Sequence, residues 1–575
     1  MGGLLMRLRS LSLTLRLALG IAACAPGPTG LEVRDVASGA AREPGRTLVA
    51  GVRVEPSTIA DRQLRSGGVA LYLSGRLFNA GLAFLDDAGL ARAYLAEELP
   101  RLNTDTWRVH PDGRMETTYR LRPNLTWHDG SALSAEDFVF AHRVYSHPEL
   151  AAGTPPFNAI EEVIAPDART VLIRWHRPYP DAGSLTARSR EFPALPRHVL
   201  EASFQQDVPD AFANHLFWSR EYVGLGPYRL ERWEPGSFIE AAAFDGHVLG
   251  PAKIERVKII FISDANTALA NLLSGEIHLS ADTSLRLEQS AIVKREWGPR
   301  NAGTVLQHPN QWRTAMFQLR PEMVTPRALL DARVRKALAH AIDKAAINEA
   351  LYSGEGILSD FIISPKSEFG PAADSATVRY PLDPRRTEQL MAEAGFARGS
   401  DGFFASIVDG RFAAEVKTNA AADNEAEIAI LASGWRQAGF EFQESVLPAV
   451  LAQDGQARST YPGVYTFNTG VGESTLIDQT TARIPRAENR WVGGNRGGWS
   501  NAEFDRLVET FTTTLDRDER SRQAARMAAI YTEDLPSISL FFRTQPWAFV
   551  AALRGLTIVA PESNMAWNVH EWELR

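Results

Sequence analysis

The 575-residue chain has a single cysteine, Cys24. Neither an internal disulfide framework nor a multi-thiolate zinc site can be built from it. Its 12 histidines are scattered rather than spaced as metal ligands, so no metal site is assigned, and His308 and His340 read as packing or surface residues. There is no Gly-x-x-x-x-Gly-Lys-Ser/Thr phosphate loop, no His-Glu-x-x-His helix and no Gly-x-Ser-x-Gly elbow. These absences argue against the commonest nucleotide, zinc-hydrolase and serine-hydrolase chemistries, and no catalytic residue is assigned. Basic residues number 61 against 69 acidic ones, a net charge of −8, which leaves no basic footprint for a nucleic-acid partner. Beyond the N-terminus, no uncharged apolar run approaches the roughly 20 residues that span a bilayer. Internal repeats and long like-charge runs are also missing.

What remains is ordinary globular material: 45% hydrophobic, 23% charged and 9% aromatic residues. At about 150 residues per domain, the length predicts about four domain-sized units. Arg7, Arg9 and Arg16 precede or interrupt a leucine-rich stretch that ends at Ile21-Ala22-Ala23-Cys24, the layout of an export signal. Small residues before a cysteine resemble the lipobox of bacterial lipoproteins, in which that cysteine is diacylated. The expectation is therefore a signal peptide over 1–23 and a lipidated Cys24, with a soluble export signal and an incidental cysteine as the alternative. Two acyl chains hold a protein on a membrane where one does so only marginally. Residues 24–46 are rich in proline and glycine and read as a flexible tether, so the folded body starts near Thr47.

Thr47 to Val54 reads as a strand, closed by Glu55-Pro56-Ser57 because proline cannot continue a ladder. Thr117 to Pro123 mixes β-branched and aromatic residues and leads to Trp127-His128-Asp129-Gly130, where Asp-Gly marks a tight turn. His128-Asp129 thus reads as a turn rather than half of a catalytic dyad, since no spacing rule sets a nucleophile beside it. Ser134 is a helix cap with Glu136 and Asp137 in the first turn, and Phe138, Ala141, Val144 and Tyr145 follow on helical spacing. A second stripe runs through Val334, Ala337, Leu338, Ala341 and Ile342 behind Asp331. Asp383-Pro384 opens a helix that stops at Gly395. Ser500-Asn501-Ala502-Glu503 has capping-box spacing ahead of Phe504, Leu507, Val508 and Phe511. Strands such as Val257 to Ile262 alternate with these helices, so the class is mixed α/β.

Several blocks, in order, resemble the family 5 extracytoplasmic solute-binding proteins, the dipeptide, oligopeptide and nickel receptors of ABC importers. The most specific is Leu121-Arg122-Pro123-Asn124-Leu125-Thr126-Trp127-His128-Asp129-Gly130, followed by Ser134 to Phe140. Gly224-Leu225-Gly226-Pro227-Tyr228 is similar to the family's Gly-Thr-Gly-Pro-Tyr segment, and Leu273 to His278 to its Ser-Gly-Glu-Ile-Asp segment. Arg333 to Leu338, Ala341 to Asp343, Asp383 to Phe396 and Trp499 to Asp505 resemble its later helices.

The resemblance implies a two-lobed periplasmic-binding-protein-like fold of type II, cluster C, with an extra domain in the first lobe. It implies lobe 1 over 47–303 with the inserted domain at about 90–219, lobe 2 over 304–540, and a return to lobe 1 over 541–575. The crossings between lobes would fall near 300–313 and Ser537 to Trp547. Closure about such a hinge buries a ligand, and the importer recognises the closed state. The implied partners are a small-molecule or peptide ligand, ABC permease and ATPase subunits, and a membrane reached through the lipid anchor. The protein would act as a monomer in the periplasm or on the outer face of the cytoplasmic membrane, without cofactor or enzymatic activity.

Peptide receptors of this family carry an aspartate that captures the peptide amine, in a stretch corresponding to Tyr465 to Asp478. Here that stretch contains Thr469-Gly470-Val471-Gly472-Glu473-Ser474. Glu473, with Gly472, is a candidate ligand-binding residue, or equally a surface glutamate. Arg483, Arg486 and Arg490 are candidate carboxylate partners, and Trp491 and Trp499 are candidate pocket walls or core residues. A peptide is the first candidate ligand. A non-peptide solute or metal chelate is the alternative, and an exported hydrolase or sensor lipoprotein is the rival from another class.

Overall fold

A computed structural model describes residues 47–64, 72–150, 155–186 and 191–575. The expected signal peptide over 1–23, Cys24 and the tether over 24–46 lie outside the described residues.

Leu48, Ala50 and Val52 are buried, and the strand that carries them, Thr47–Val52, is central in an 11-stranded mixed sheet. It runs parallel to Arg256–Phe261 on one side and to Leu279–Ser280 on the other. From one edge the order is Tyr228–Glu234, Phe238–Ala243, Arg256–Phe261, Thr47–Val52, Leu279–Ser280, Ser537–Val550, Gly303–Phe317, Val464–Gly470, Ala413–Asn419 and Glu441–Leu447. Ile357–Leu358 pairs with Ser537–Val550 off this path.

Two strands are far longer than the rest, Gly303–Phe317 with 15 residues and Ser537–Val550 with 14. They pair antiparallel from Gly303 opposite Val550 to Met316 opposite Ser537, and the register breaks at Asn310 and again between Arg313 and Thr314. The first lobe's strands join one end of this ribbon, where Leu279 and Ser280 face Phe549 and Ala548. The second lobe's join the other end, where Val464–Gly470 pairs with Gln311 to Phe317. Both lobes therefore hang from one two-stranded ribbon, and the first of its register breaks, at Asn310, lies between their attachment points.

The first lobe carries a separate four-stranded sheet, ordered Trp107–Val109, Met115–Arg120, Thr170–Trp175 and Ile160–Asp167, with a core that includes Tyr119, Phe138, Trp175 and Phe192. Asp137 ties two helix starts together there. It accepts the Ser134 N–H at 2.9 Å at the head of Ala135–Tyr145 and the Arg197 N–H at 3.0 Å at the head of Arg197–Phe204. Burial pushes its carboxyl above the usual range despite these bonds. Asp331 and Asp383 cap their helices by accepting the N–H of Arg333 and Arg386, and Gly395 takes the left-handed conformation at φ 86° after the second. The later helix departs from expectation. Asn501 caps Ala502–Phe511 by accepting the N–H groups of Glu503 and Phe504, while the Ser500 hydroxyl bonds Thr481. Glu503 pairs outward with Arg526 and does not reach back to close a capping box.

The turn at His128 joins two distant blocks. Its Nδ1 accepts the Gly224 N–H at 3.1 Å and its Nε2 donates to the Gly226 carbonyl at 3.0 Å, so the ring is neutral; burial holds its pKa down to about 4. Gly226 in turn abuts the end of the helix Tyr72–Phe78. A Cβ there would lie 2.4 Å from Asn79 N and Phe78 C, so the backbones touch only because the residue is glycine. This contact seats the helix against the first lobe, with Arg76 of its last turn on the cleft wall.

Candidate ligand-binding cleft

Between the lobes lies a cleft of about 1990 Å³, walled on one side by segments within 58–191 and 560–567 and on the other by segments within 363–369 and 471–520. On the first-lobe wall the Arg76 guanidinium lies over the rings of Phe84 and Tyr94, with Cζ 5.1 and 4.6 Å from their centroids. It donates to the Trp567 carbonyl at 3.1 Å, and Phe84 stacks on Trp567 at 6.1 Å.

On the second-lobe wall, Val464–Gly470 leaves the sheet and turns through Gly472, whose φ of 105° favours glycine although a Cβ would meet nothing within 4 Å. The turn delivers Glu473 to Arg520 of the helix Arg517–Asp534, 2.7 Å away. The Arg520 side chain is 6% exposed and that of Glu473 21%. The Arg520 guanidinium is held between the rings of Phe369 and Phe511, at 4.8 and 4.2 Å. Arg517 pairs with Glu368 at 2.6 Å and Arg483 with Asp478 at 3.1 Å, so three of this wall's cations are already neutralised within the protein.

The matches to known proteins fit this geometry. Residues 98–475 match the family described as bacterial extracellular solute-binding proteins, family 5, middle. The chain belongs to this family. Among relatives of the family 5 protein, the oligopeptide-binding protein AppA of Bacillus subtilis is 23% identical over 99% of this chain and 98% of its own. The dipeptide-binding protein of Escherichia coli is 24% identical over 78% and 81%. Among solved structures, NikZ of Campylobacter jejuni in complex with Ni(L-His) superposes with a TM-score of 0.70 at 22% identity, covering 92% of this chain and all of that one. NikA of Brucella suis with Fe(III)-EDTA gives 0.73 at 15% over the same shares. These fix the two-lobed fold. The relatives are named as binding proteins.

Of the residues singled out in the sequence of this family 5 protein, Gly472, Glu473 and Arg483 line the cleft. Trp491 instead walls a second hollow of about 480 Å³, with Arg320, Pro485 and Arg486. Trp499 packs in the core, edge-on to Phe504 and Tyr531 at 4.9 and 5.2 Å, with its indole N–H donated to Asp534. Arg76, Phe84, Trp567, Arg520 and Phe369 escaped sequence reasoning, and Phe511 was read only as part of the apolar face of its helix. A signal did exist for Arg520, which shares the inward stripe of its helix with Gln523, Ala524, Met527 and Tyr531. Among the described residues, no group of three or more His, Cys, Asp or Glu is disposed to hold a metal ion, and no helix is long and apolar enough to cross a membrane.

Proposed function

We propose that this protein captures a peptide between its lobes and delivers it to an ABC permease driven by ATPase subunits. The observation that carries this reading is the cleft: about 1990 Å³ is roughly twice the upper end of small-molecule pockets, ~1,000 Å³, so it has room for an extended ligand. The names of its relatives point the same way. No catalysis is part of this reading: the protein binds, closes and releases, working as a monomer. Its lobes run over 47–303, 304–540 and 541–575, with the inserted domain at about 90–219. Residues 1–23 direct export, and a lipid on Cys24 holds the body at a membrane surface outside the cytoplasm through the 24–46 tether. Labelled fatty acid should enter the wild type and not Cys24→Ser; equal labelling of both defeats the anchor.

The test of the ligand class is mass spectrometry of small molecules released when freshly purified protein is denatured. Peptides are expected. The second reading, a non-peptide solute or metal chelate, is favoured by one observation: Glu473 is already neutralised by Arg520, so the cleft does not offer it as an unpaired anion to an incoming amine. Recovery of such a solute in place of peptides would overturn the first reading.

A further inference from the structure

The first-lobe wall of the cleft holds hydrogen-bond donors that lack acceptors. Arg76 Nε and Trp567 Nε1 are both buried and neither has a partner among the described residues. Arg76 forms no ion pair among them either, although Asp61 and Glu562 line the same wall. Phe84 fixes both groups, since its ring lies under the Arg76 guanidinium and against the Trp567 indole. Tyr94, the second ring on Arg76, is locked from behind. Its hydroxyl donates to His247 Nε2 at 2.8 Å, because His247 Nδ1 is committed to the Gly250 carbonyl at 2.8 Å.

A guanidinium is charged at any physiological pH, and aromatic faces compensate its lost hydration only in part. An arginine held rigidly in a cleft without a counter-ion is thus preorganised for an anion, and its planar fork suits a carboxylate. We propose that Arg76 with Trp567 forms a subsite for a carboxylate of the ligand, and that Arg76 is the residue that selects for it. The inference rests on the cleft being the ligand site. The opposite wall carries the complementary sign: Glu509 and Asp518 line it and form no ion pair among the described residues. A zwitterion reaching across the gap would present its anionic end to the first lobe and its cationic end to the second.

The test is calorimetric and thermal-shift titration of the full chain with trialanine and pentaalanine, each as free acid and as C-terminal amide, and with citrate. Wild type should bind the free acids about tenfold to a hundredfold more tightly than the amides. Arg76→Gln should lower the acids to the level of the amides, while Arg76→Lys keeps part of the preference. If peptides fail and citrate binds in an Arg76-dependent way, peptide capture falls and the subsite stands. If acids and amides bind alike, or Arg76→Gln still discriminates, the subsite falls and peptide capture stands. If no carboxylate-bearing probe binds, both fall. Should Arg76→Gln not fold, the indole ¹⁵N–H resonance of Trp567 in the wild type decides: it shifts with the free acid and not with the amide, and an unmoved resonance at saturation overturns the subsite.

Discussion

The Glu473 carboxylate pairs with the Arg520 guanidinium at the edge of the cleft, so an arriving cation must compete with a residue clamped between two rings. Glu473→Gln should leave Arg520 short of its counter-ion and cost about 1–3 kcal/mol of stability, discounted because the glutamate is partly solvated. A lower urea midpoint at unchanged slope would register this; an unchanged midpoint would show that the pair contributes nothing. The deeper pair between Arg313 and Glu427, 2.6 Å apart with side chains 1% and 0% exposed, sets a larger scale. Arg313 also donates to Thr466 at 2.9 Å, so Arg313→Met should cost about 3–5 kcal/mol by the same measurement, and the double variant with Glu427→Leu should cost less than Arg313→Met alone. Single residues were the least legible scale in the sequence. Glu473 stood out because its loop departs from the family's pattern, but Arg520, 47 positions away, is what gives it meaning. Arg76 is one of many arginines, and nothing local distinguishes it. Its lack of an ion pair among the described residues exists only in three dimensions.

Helices were far more legible, because caps and apolar stripes are local. Asp331 and Asp383 cap as their positions predict, and Phe138, Ala141, Val144 and Tyr145 all face the core. The exception at Ser500 and Asn501 is also local in origin. Both types cap well, and the choice between them came from Asp534, which accepts the Asn501 side-chain N–H at 2.9 Å and fixes its orientation. Asn501→Ala should therefore cost about 0.5–2 kcal/mol and Ser500→Ala much less, a contrast that thermal denaturation resolves. Elements that meet across long separations were legible only as motifs. Gly226 and His128 were each visible, but their convergence on the end of Tyr72–Phe78 was not. Gly226→Ala drives a methyl into main-chain atoms that cannot rotate away, with an expected loss of about 1–3 kcal/mol. Because the displaced helix carries Arg76, ligand affinity in Gly226→Ala should fall as well. An affinity unchanged in a destabilised but folded protein would disconnect that contact from the cleft.

For the molecule as a whole, acid should be a stress well before carboxylates titrate. His247 is 4% exposed, and burial holds its pKa down to about 4 against an ordinary 6.5. The folded state binds this proton less readily than the unfolded chain. Its contribution is thus complete above pH 6.5 and is lost as pH falls from 6.5 toward 4, amounting to about 3 kcal/mol. Urea denaturation between pH 6.5 and 5 should show stability declining in the wild type and declining less in His247→Gln; parallel slopes would exclude the histidine as the cause. The two-lobed architecture was legible through the family resemblance, whereas the order of strands in the shared sheet was not, since pairing partners lie hundreds of residues apart. That order sets Ser537–Val550 between the two halves of the sheet: Leu279–Ser280 lies on one side of it and Gly303–Phe317 on the other. A chain emerging from a ribosome or a translocation channel contains both neighbours of this strand long before the strand itself appears, and until then each presents a bare sheet edge to its surroundings. Vectorial synthesis therefore leaves the keystone for last, and a nascent chain stalled before residue 537 should be a client for holdase chaperones where the finished protein is not.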